Sequence, residues 1–362
     1  MGEGILLALT ALMVLLTFLP LWKNPAWWVR CLDFPRLQLS VLALALLGAQ
    51  CLILQYPKPL HLLLSAIVTG CLVYQAWWII PYTRLWPNEV KSADTDESKP
   101  RIRVMAANVL TPNRQADQLV ALVREFQPDV LVTLETDSWW EAQLDELIAC
   151  YPHTLRCPLD NLYGMHVYSR LPLENAETCY LVEDDVPSMH AKVRLNDQLS
   201  IRMHFLHPAP PSPTENDEST ERDVELLLVA KSVSDDKDDI PIIVTGDLND
   251  VAWSANTRLF RKISGLLDPR VGRCMVNSFH AQYRFLRWPL DHLFHSHHFR
   301  LVSIQRLREF GSDHFPVLVE LQYDPAPEQQ SLQASAEDEQ DARETLASRN
   351  ARESDVPEPE KR

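Results

Sequence analysis

The hydrophobic pattern at the start of the chain predicts a membrane anchor over residues 1–86. Residues 4–22, 37–56 and 60–82 form three uncharged runs. Each run reaches the roughly 20 residues that a helix needs to cross about 30 Å of hydrocarbon. Tryptophan and tyrosine stand near the ends of these runs, where side chains meet the headgroup zone of a bilayer. We therefore expect about three transmembrane helices.

Beyond a polar linker at 87–100, strand and helix patterns alternate over residues 101–322. Residues 101–107 alternate charged and apolar side chains, as a half-buried strand does. The spacing of Leu119, Leu122, Val123 and Phe126 is that of an amphipathic helix. Further helices are predicted at 219–233 and 253–263. Further strands are predicted at 130–134, 166–169, 191–195, 199–206, 240–245, 290–294, 301–305 and 316–321.

Strands outnumber helices, and several are neighbours in the sequence. This order favours an α/β fold with two sheets flanked by helices over a doubly wound parallel sheet. The composition agrees with a globular domain, because 46% of the 362 residues are hydrophobic and only seven are cysteine. A collagen-like chain, a disulfide scaffold and a chain that is disordered throughout are excluded.

The last 40 residues differ in composition from the rest. Residues 323–362 contain eleven Asp or Glu, five Lys or Arg and few large apolar side chains. Such a segment buries too little apolar surface to offset the entropy of ordering it. We therefore expect a disordered acidic tail after a globular domain at 101–322.

Polar residues that can do chemistry recur where the predicted strands end. They are Asn108, Glu135, His207, Asp247, Asn249, Asp291, Asp313 and His314. Each has an ordinary interpretation alone; residues 246–250, for example, have the composition of a turn. If the strands converge, however, these residues form one site. Carboxylate and amide oxygens without a thiolate favour Mg²⁺ or Mn²⁺ over Zn²⁺.

Taken together, these motifs resemble the endonuclease/exonuclease/phosphatase superfamily. The resemblance covers about residues 101–322, in the family's order. Its most specific parts are Gly-Asp-Leu-Asn at 246–249 and Ser-Asp-His-Phe-Pro-Val at 312–317. Other matching stretches are 104–109, 128–135, 164–170, 206–210 and 290–291. The resemblance implies a four-layer α/β sandwich with two central sheets.

The resemblance also implies roles for the eight residues. The Mg²⁺ or Mn²⁺ ligands are Asn108, Glu135 and Asp313, with Glu135 the principal one. The groups that act on the phosphate are His207, Asp247, Asn249, Asp291 and His314.

Within the second group, Asp247 positions or deprotonates the attacking water, and Asn249 holds a phosphate oxygen. His207 and His314 contact the scissile phosphate, and Asp291 orients His314. Whether Asp247 or His314 is the general base stays open at this point.

Two places depart from the family pattern or remain ambiguous. Leu134 precedes Glu135 at a position where many relatives have a glutamine. The family also has an active-site tyrosine, for which Tyr163 is the one candidate in this sequence. A zinc site is one interpretation of the four histidines between 292 and 298. Their spacing in and beyond a short strand places some on opposite faces, so we expect a solvated loop instead.

Three functions are compatible with this sequence. The first is a membrane-anchored, metal-dependent phosphoesterase that hydrolyses a phosphodiester, phosphomonoester or pyrophosphate of a lipid-linked substrate. The second is a nuclease of the same superfamily. It is disfavoured by a net charge of −15 and the lack of a sustained basic run, because DNA binding relies on Lys and Arg at several phosphates. The third is a catalytically silent binding domain, which would have lost at least one matched residue.

Two signals oppose each other on the orientation of the anchor. More Lys and Arg lie in the first loop and after the third run than in the second loop, which favours a cytoplasmic domain. The resemblance is to bacterial envelope proteins with three spans whose catalytic domain faces outward, one group of which is linked to undecaprenyl-pyrophosphate handling. We expect a multi-pass protein of a bacterial cell membrane with an extracytoplasmic domain.

Overall fold

The computed structural model describes residues 2–54, 56, 58–96, 98–234, 239–326, 328–349, 351 and 355–357. Four helices form its N-terminal part: α1 Gly2–Phe18, the short α2 Trp27–Arg30, α3 Arg36–Ile53 and α4 Pro59–Ile79. With their terminal turns, the three long ones cover Gly2–Leu21, Arg36–Ile53 and Pro59–Tyr82 and are long and apolar enough to cross a membrane. The three predicted helices are thus confirmed.

Buried polar pairs join these apolar helices. Gln50 donates to Thr10 at 3.0 Å, and Arg36 donates to Gln75 at 3.2 Å. A polar side chain among apolar helices needs such a partner, since an unpaired donor there is costly. The pairs therefore fix how α3 packs against its neighbours.

Eleven strands follow in the described chain. They are β1 Arg101–Asn108, β2 Val130–Leu134, β3 His153–Cys157, β4 Met165–Ser169, β5 Leu173–Cys179, β6 Ser188–Arg194, β7 Ser200–Leu206, β8 Ile242–Asp247, β9 Asp291–His295, β10 Phe299–Arg306 and β11 Val317–Tyr323. One sheet has the order β10-β11-β1-β2-β4-β3, and the other β5-β6-β7-β8-β9.

Apolar side chains from both sheets meet in one buried core, which includes Val104, Val132, Met203 and Ile243. Helices α5 Ala116–Phe126 and α6 Ser138–Leu144 cover the outer face of the first sheet. Helices α7 Thr220–Ser234 and α8 Ala255–Ser264 cover the second. The predicted four-layer α/β sandwich is confirmed.

Two strands, β3 and β5, have no counterpart in the sequence prediction. Both are edge strands. Their side chains are half-buried or exposed, and β5 carries an irregularity between Glu174 and Glu177. An edge strand packs on fewer neighbours, so its sequence lacks the apolar run that marks a central strand.

The tail differs from the predicted disorder at Ala336–Ala347, which forms helix α9. Ser335 and Asp338 cap its start in a reciprocal pair of hydrogen bonds. Ala342 and Leu346 are buried against α7 and α8. The acidic composition hides this helix because its carboxylates pair with cations of the domain, such as Lys231 with Glu339 at 2.6 Å. Residues 327, 350, 352–354 and 358–362 of the predicted tail lie outside the described residues.

The N-terminal helices and the sandwich make direct contact. Trp253 Nε1 donates to the Asp33 carbonyl at 2.8 Å, and the Tyr82 hydroxyl donates to the Ala252 carbonyl. Residue 97 of the predicted linker 87–100 is outside the described residues, but Glu89 in it forms a buried ion pair with Arg261. The sandwich is therefore held against the ends of α1, α3 and α4 by contacts far apart in sequence.

Candidate active site

Parallel pairing brings the predicted site residues to one end of the sandwich. Asn108 at the end of β1 lies beside Leu134 at the end of β2, and Leu206 at the end of β7 lies beside Gly246 in β8. Glu135 and His207 follow directly. Carboxyl ends of neighbouring parallel strands share an edge, so four elements deliver their polar residues to the same place.

Gly246 is required for this approach. It has a φ of 148°, and a Cβ there would lie 1.9 Å from the Leu206 carbonyl oxygen. Only glycine lets β8 pass so close to β7. The glycine of the Gly-Asp-Leu-Asn motif thus sets the separation of Asp247 and His207.

Glu135 is held from several sides just beyond β2. Its own φ is 59°, in the left-handed region, and its carbonyl accepts from the Thr111 hydroxyl at 2.8 Å. Asn108 Nδ2 donates to its Oε1 at 2.8 Å. Burial raises the pKa of Glu135 to about 7, and the charges of Asp313 and Asp247 act in the same direction. An added positive charge would favour the ionised form.

Asn108 differs from its expected role as an oxygen ligand. Its Oδ1 accepts from the Leu110 N–H at 3.1 Å, while Nδ2 donates to Glu135 and, at 3.2 Å, to Asp247. An amide between two carboxylates presents its nitrogen, because carboxylates only accept. In this conformation Asn108 positions the two acids.

His314 lies between two carboxylates. Its Nδ1 is 2.8 Å from Asp291 Oδ2, and its Nε2 is 3.4 Å from Asp247 Oδ2. Burial acts to lower the pKa of His314, but the charges of Asp247 and Asp291 outweigh it and raise the pKa to about 10. Burial also acts to raise the pKa of Asp247, yet His314 and His207 hold it below its ordinary value. The geometry is that of an imidazolium held by two acids.

His207 and Asn249 are the remaining predicted residues at this end of the sandwich. The His207 Nδ1 is buried and has no hydrogen-bond partner among the described residues, and burial lowers the pKa of this histidine to about 4. Its ring centre lies 5.6 Å from that of Tyr163. Asn249 Nδ2 donates to the Pro208 carbonyl at 3.0 Å, and its backbone N–H donates to Asp247 Oδ1 at 3.0 Å.

These residues line a cleft of about 420 Å³. On one side it is lined by Glu135, Tyr163, His207, Asp247, Asn249, Asp313 and His314. On the other side it is lined by Trp27, Cys31 and Phe34, from the connection between α1 and α3. The cleft therefore lies where the sandwich meets the N-terminal part of the chain.

The family is decided by a match over more than half of the chain. The model of the Endonuclease/Exonuclease/phosphatase family matches residues 105–314, the segment that contains all eight residues. The chain belongs to this family. The endonuclease/exonuclease/phosphatase protein described here is accordingly a hydrolase of phosphoric ester bonds, in a family that typically uses a divalent metal. No curated protein matches it by sequence.

Solved structures share the fold at low identity. A family protein from Bacteroides thetaiotaomicron has a TM-score of 0.53 and 18% identity, covering 62% of this chain and 99% of that one. Humanized D. rerio TDP2 has a TM-score of 0.51 and 15% identity, covering 61% and 98%. The human Nocturnin catalytic domain with bound sulfate has a TM-score of 0.51 and 16% identity, covering 62% and 96%. The likeness shows a common fold.

The donor chemistry of the cleft fits a hard divalent cation. Glu135 and Asp313 both face the cleft, and the charge of Asp313 helps to raise the pKa of Glu135. Carboxylate oxygens are the preferred ligands of Mg²⁺. Ligand atoms of Asp247, Asp291 and His314 also lie within 4.8 Å of one another, but both nitrogens of His314 already face the two acids.

Several residues that support the catalytic side chains were not predicted from the sequence. The Ser312 hydroxyl donates to the Asn108 carbonyl at 2.7 Å and accepts from the His314 N–H at 3.0 Å. The Asp291 N–H donates to the Ser278 hydroxyl at 3.1 Å. Ser312 lies inside a recognised motif and was open to prediction, whereas no local pattern marks Ser278, Trp27 or Phe34.

The expectation of a solvated histidine loop is wrong for most of the cluster. His292, His295 and His298 are buried, and His297 is half-buried. His292 bonds the Asp250 carbonyl and Arg270 through its two nitrogens. The strand β9 carries two of these side chains, His292 and His295, into packed layers, where the Nδ1 of His295 bonds the Ser296 carbonyl at 2.8 Å.

Proposed function

We propose that this family member is a membrane-anchored, Mg²⁺-dependent phosphoesterase that hydrolyses a phosphodiester, phosphomonoester or pyrophosphate bond of a lipid-linked substrate. The observation that carries the proposal is the shared cleft, whose walls come from the catalytic residues and from Trp27, Cys31 and Phe34 of the anchor. A substrate bound there would keep its phosphate among the acids and its apolar part towards the membrane helices.

An exposed apolar loop supports access from a bilayer. Tyr283, Phe285 and Leu286 are 59%, 85% and 47% exposed. The Phe285 carbonyl accepts from Gln38 in the first turn of α3 at 2.8 Å, which places the loop beside a candidate membrane span. Aromatic and aliphatic side chains at that level suit the headgroup and acyl boundary.

The same loop reaches the catalytic residues. The Ala281 N–H donates to the Asp313 carbonyl at 2.6 Å. The ring centre of Phe279, at the base of the loop, is 4.9 Å from that of His314. A loop anchored in lipid at its tip would hold the mouth of the cleft at the membrane surface.

In this proposal Glu135 and Asp313 hold the divalent cation, and Asn108 positions Glu135. The cation would stabilise the negative charge that grows on phosphate oxygens during attack. Oxygen ligands favour Mg²⁺, and Mn²⁺ would serve in its place.

The side chains act on the substrate as follows. Asp247 orients a water molecule and accepts its proton as the water oxygen bonds to phosphorus and the bond from phosphorus to the leaving oxygen breaks; the leaving oxygen then takes a proton from solvent. His314 faces carboxylates with both nitrogens, so it is charged and cannot serve as the base. It stabilises the oxygens of the transferring phosphate, and His207 and the free amide hydrogen of Asn249 bind the same group. Asp291 orients His314.

The substrate class is tested with the full-length protein in detergent or bilayer discs. Isoprenyl pyrophosphate, phospholipid, a soluble phosphodiester and plasmid DNA are each incubated with Mg²⁺, Mn²⁺ or EDTA. Glu135→Ala and His314→Ala are the inactive variants, and Asp197→Ala, on the exposed turn before β7, is the control. Metal-dependent cleavage of a lipid substrate that both inactive variants lose would support the proposal. Metal-dependent nicking of DNA alone would establish the nuclease instead.

The proposal places the catalytic domain on the extracytoplasmic side of a bacterial cell membrane. Reporter fusions after Lys91 test this, because Lys91 follows the third span. An active extracytoplasmic reporter is expected. A silent one together with an active cytoplasmic reporter would reverse the orientation.

A further inference from the structure

The connection between α1 and α3 borders a second cavity, of about 580 Å³. Four cations line it: Lys23, Arg30, Arg258 and Lys262. The indole of Trp78, in the last turn of α4, lies among them. We call this the basic cavity. None of its cations lines the catalytic cleft.

Two of the four cations are neutralised by helix α9. Lys23 Nζ is 2.8 Å from Asp341, and Lys262 Nζ is 2.8 Å from Asp338. Both carboxylates line the cavity, as does Glu344, which accepts from Gln340. Helix α9 thus forms one rim of the basic cavity, and its carboxylates pair with two of the four cations.

A further carboxylate of the cavity is engaged elsewhere. Asp223 lines the cavity, but its Oδ1 accepts from Arg222 Nη2 at 2.9 Å and from Asn256 Nδ2 at 2.8 Å. Arg222 is buried behind it. Asp223 is therefore not free to neutralise the other two cations.

Arg30 and Arg258 make no ion pair in the part of the chain that the structure describes. The Nε of Arg30 is buried without a hydrogen-bond partner, and so is the Nε1 of Trp78. The guanidinium of Arg258 lies over the Trp78 ring at 4.9 Å. Among the described residues, two guanidinium groups therefore border the cavity without an ion pair, and two buried donors beside it lack an acceptor, although buried donors are normally paired.

A negatively charged group with several oxygen acceptors would satisfy these donors. Guanidinium groups bind phosphate through parallel hydrogen bonds, and an indole N–H adds one more. Trp78 ends a candidate membrane span, so the cavity lies at the level of lipid headgroups. Basic pockets at that level bind the phosphates of anionic lipids.

We propose that the basic cavity binds the phosphate of an anionic membrane phospholipid, held by Arg30, Arg258 and the Trp78 N–H. The inference rests on the membrane anchoring proposed above but not on the catalytic proposal. Asp341 competes with the lipid for Lys23, so helix α9 limits its affinity.

The test uses full-length protein in detergent and counts bound molecules by native mass spectrometry. The probes are short-chain phosphatidylglycerol, phosphatidylcholine and inorganic phosphate. We expect one saturable phosphatidylglycerol and weaker binding of the other two. Arg30→Gln and Arg258→Gln should each weaken phosphatidylglycerol binding about tenfold, as for the loss of a charged hydrogen bond. Asp341→Asn should strengthen it several-fold.

Controls separate this site from the catalytic one. Glu135→Ala should bind phosphatidylglycerol like the unaltered protein, even if no phosphoesterase activity is ever found. Thermal unfolding verifies that each variant is folded, and a folded Arg124→Gln, on the exposed side of α5, serves as a matched loss of charge outside the cavity. Equal affinity of Arg30→Gln, Arg258→Gln and the unaltered protein would overturn the proposal. Equal binding of inorganic phosphate and phosphatidylglycerol would overturn its assignment to lipid.

Discussion

A single buried histidine and a buried pair of histidines show how their neighbours decide the charge of an imidazole. At the catalytic cleft, His314 lies between Asp247 and Asp291, and its pKa is raised to about 10. Between β6 and β7, His190 and His204 face each other with their Nδ1 atoms 2.7 Å apart. Burial lowers the pKa of His190 to about 3 and lowers that of His204 as well.

The difference lies in the carboxylates rather than in burial. All three imidazoles are buried, and burial by itself disfavours the charged form. Only His314 has acids within contact distance on both nitrogens. Of these three imidazoles, the charged one therefore marks the place where two acids were brought together, which is the catalytic cleft. The His190 and His204 pair is part of the packing.

The largest effect is expected from removing the charged imidazole. His314→Gln keeps a hydrogen-bond donor of similar size but no positive charge. Turnover should fall on the order of 10³-fold, in the range for loss of a group that stabilises charge in the transition state. The matched change His190→Gln should leave turnover within a few-fold. Initial rates on the best substrate measure both, and equal loss in the two variants would contradict the comparison.

Asp291→Asn should shift the pH dependence of the reaction. Asp291 helps to raise the pKa of His314, so the neutral amide should lower that pKa. The imidazolium then loses its proton at a lower pH, and the alkaline limb of the rate profile moves down by at least about one pH unit. Rates between pH 6 and 10 test this. An unchanged alkaline limb would show that His314 is not the group that titrates.

The His190 and His204 pair should affect stability instead. Each is neutral in the folded state, whereas an unfolded histidine binds a proton below about pH 6.5. The unfolded chain therefore binds more protons, and the free energy of unfolding falls as the pH drops from 6.5 towards 4. Each such histidine contributes about 1.4 kcal/mol per pH unit.

Replacing both histidines, as in His190→Leu with His204→Met, should flatten this acid dependence. Thermal unfolding of the full-length protein at pH 7.5, 6 and 5 measures it. The double variant should lose less stability between pH 7.5 and 5 than the unaltered protein. An equal loss would mean that other groups control acid unfolding.

A smaller effect is expected at the exposed loop. Phe285→Ser removes the most exposed aromatic side chain beside α3, and kcat/KM on a lipid substrate in bilayers should fall by about tenfold, as expected for lost burial of one aromatic side chain. Activity on a soluble ester should stay within about twofold. Gln198→Ser, on the turn before β7, is the matched surface control. Equal losses on both substrates would point to a structural defect.

The sequence allowed prediction of most features that depend on central strands. The apolar runs of β2 and β8 are recognisable because both faces of these strands are covered, and β1 is recognisable by its alternation of charged and apolar residues. The polar residues that end them, such as Asn108 and Asp247, are then brought to one edge by the parallel pairing. Because the strands were predictable, so was the place of the site.

Features that depend on distant contacts were not predictable. Trp27 joins the cleft because its backbone pairs with Asp217, about 190 residues away. Helix α9 forms because its acids meet Lys23, Lys231 and Lys262. The amide orientation of Asn108 depends on Glu135 and Asp247 being present together. In each case the partner that decides the structure is far away in the chain, so the local composition does not predict the contact.

The most direct measurement of the central claim is the anomalous scattering of Mn²⁺ in crystals of the full-length protein. One peak is predicted in the cleft, within bonding distance of Glu135 and Asp313, and it should be lost in Glu135→Ala. The His190 and His204 pair should show no peak. A cation bound elsewhere, with none at Glu135, would contradict the account of how this cleft works.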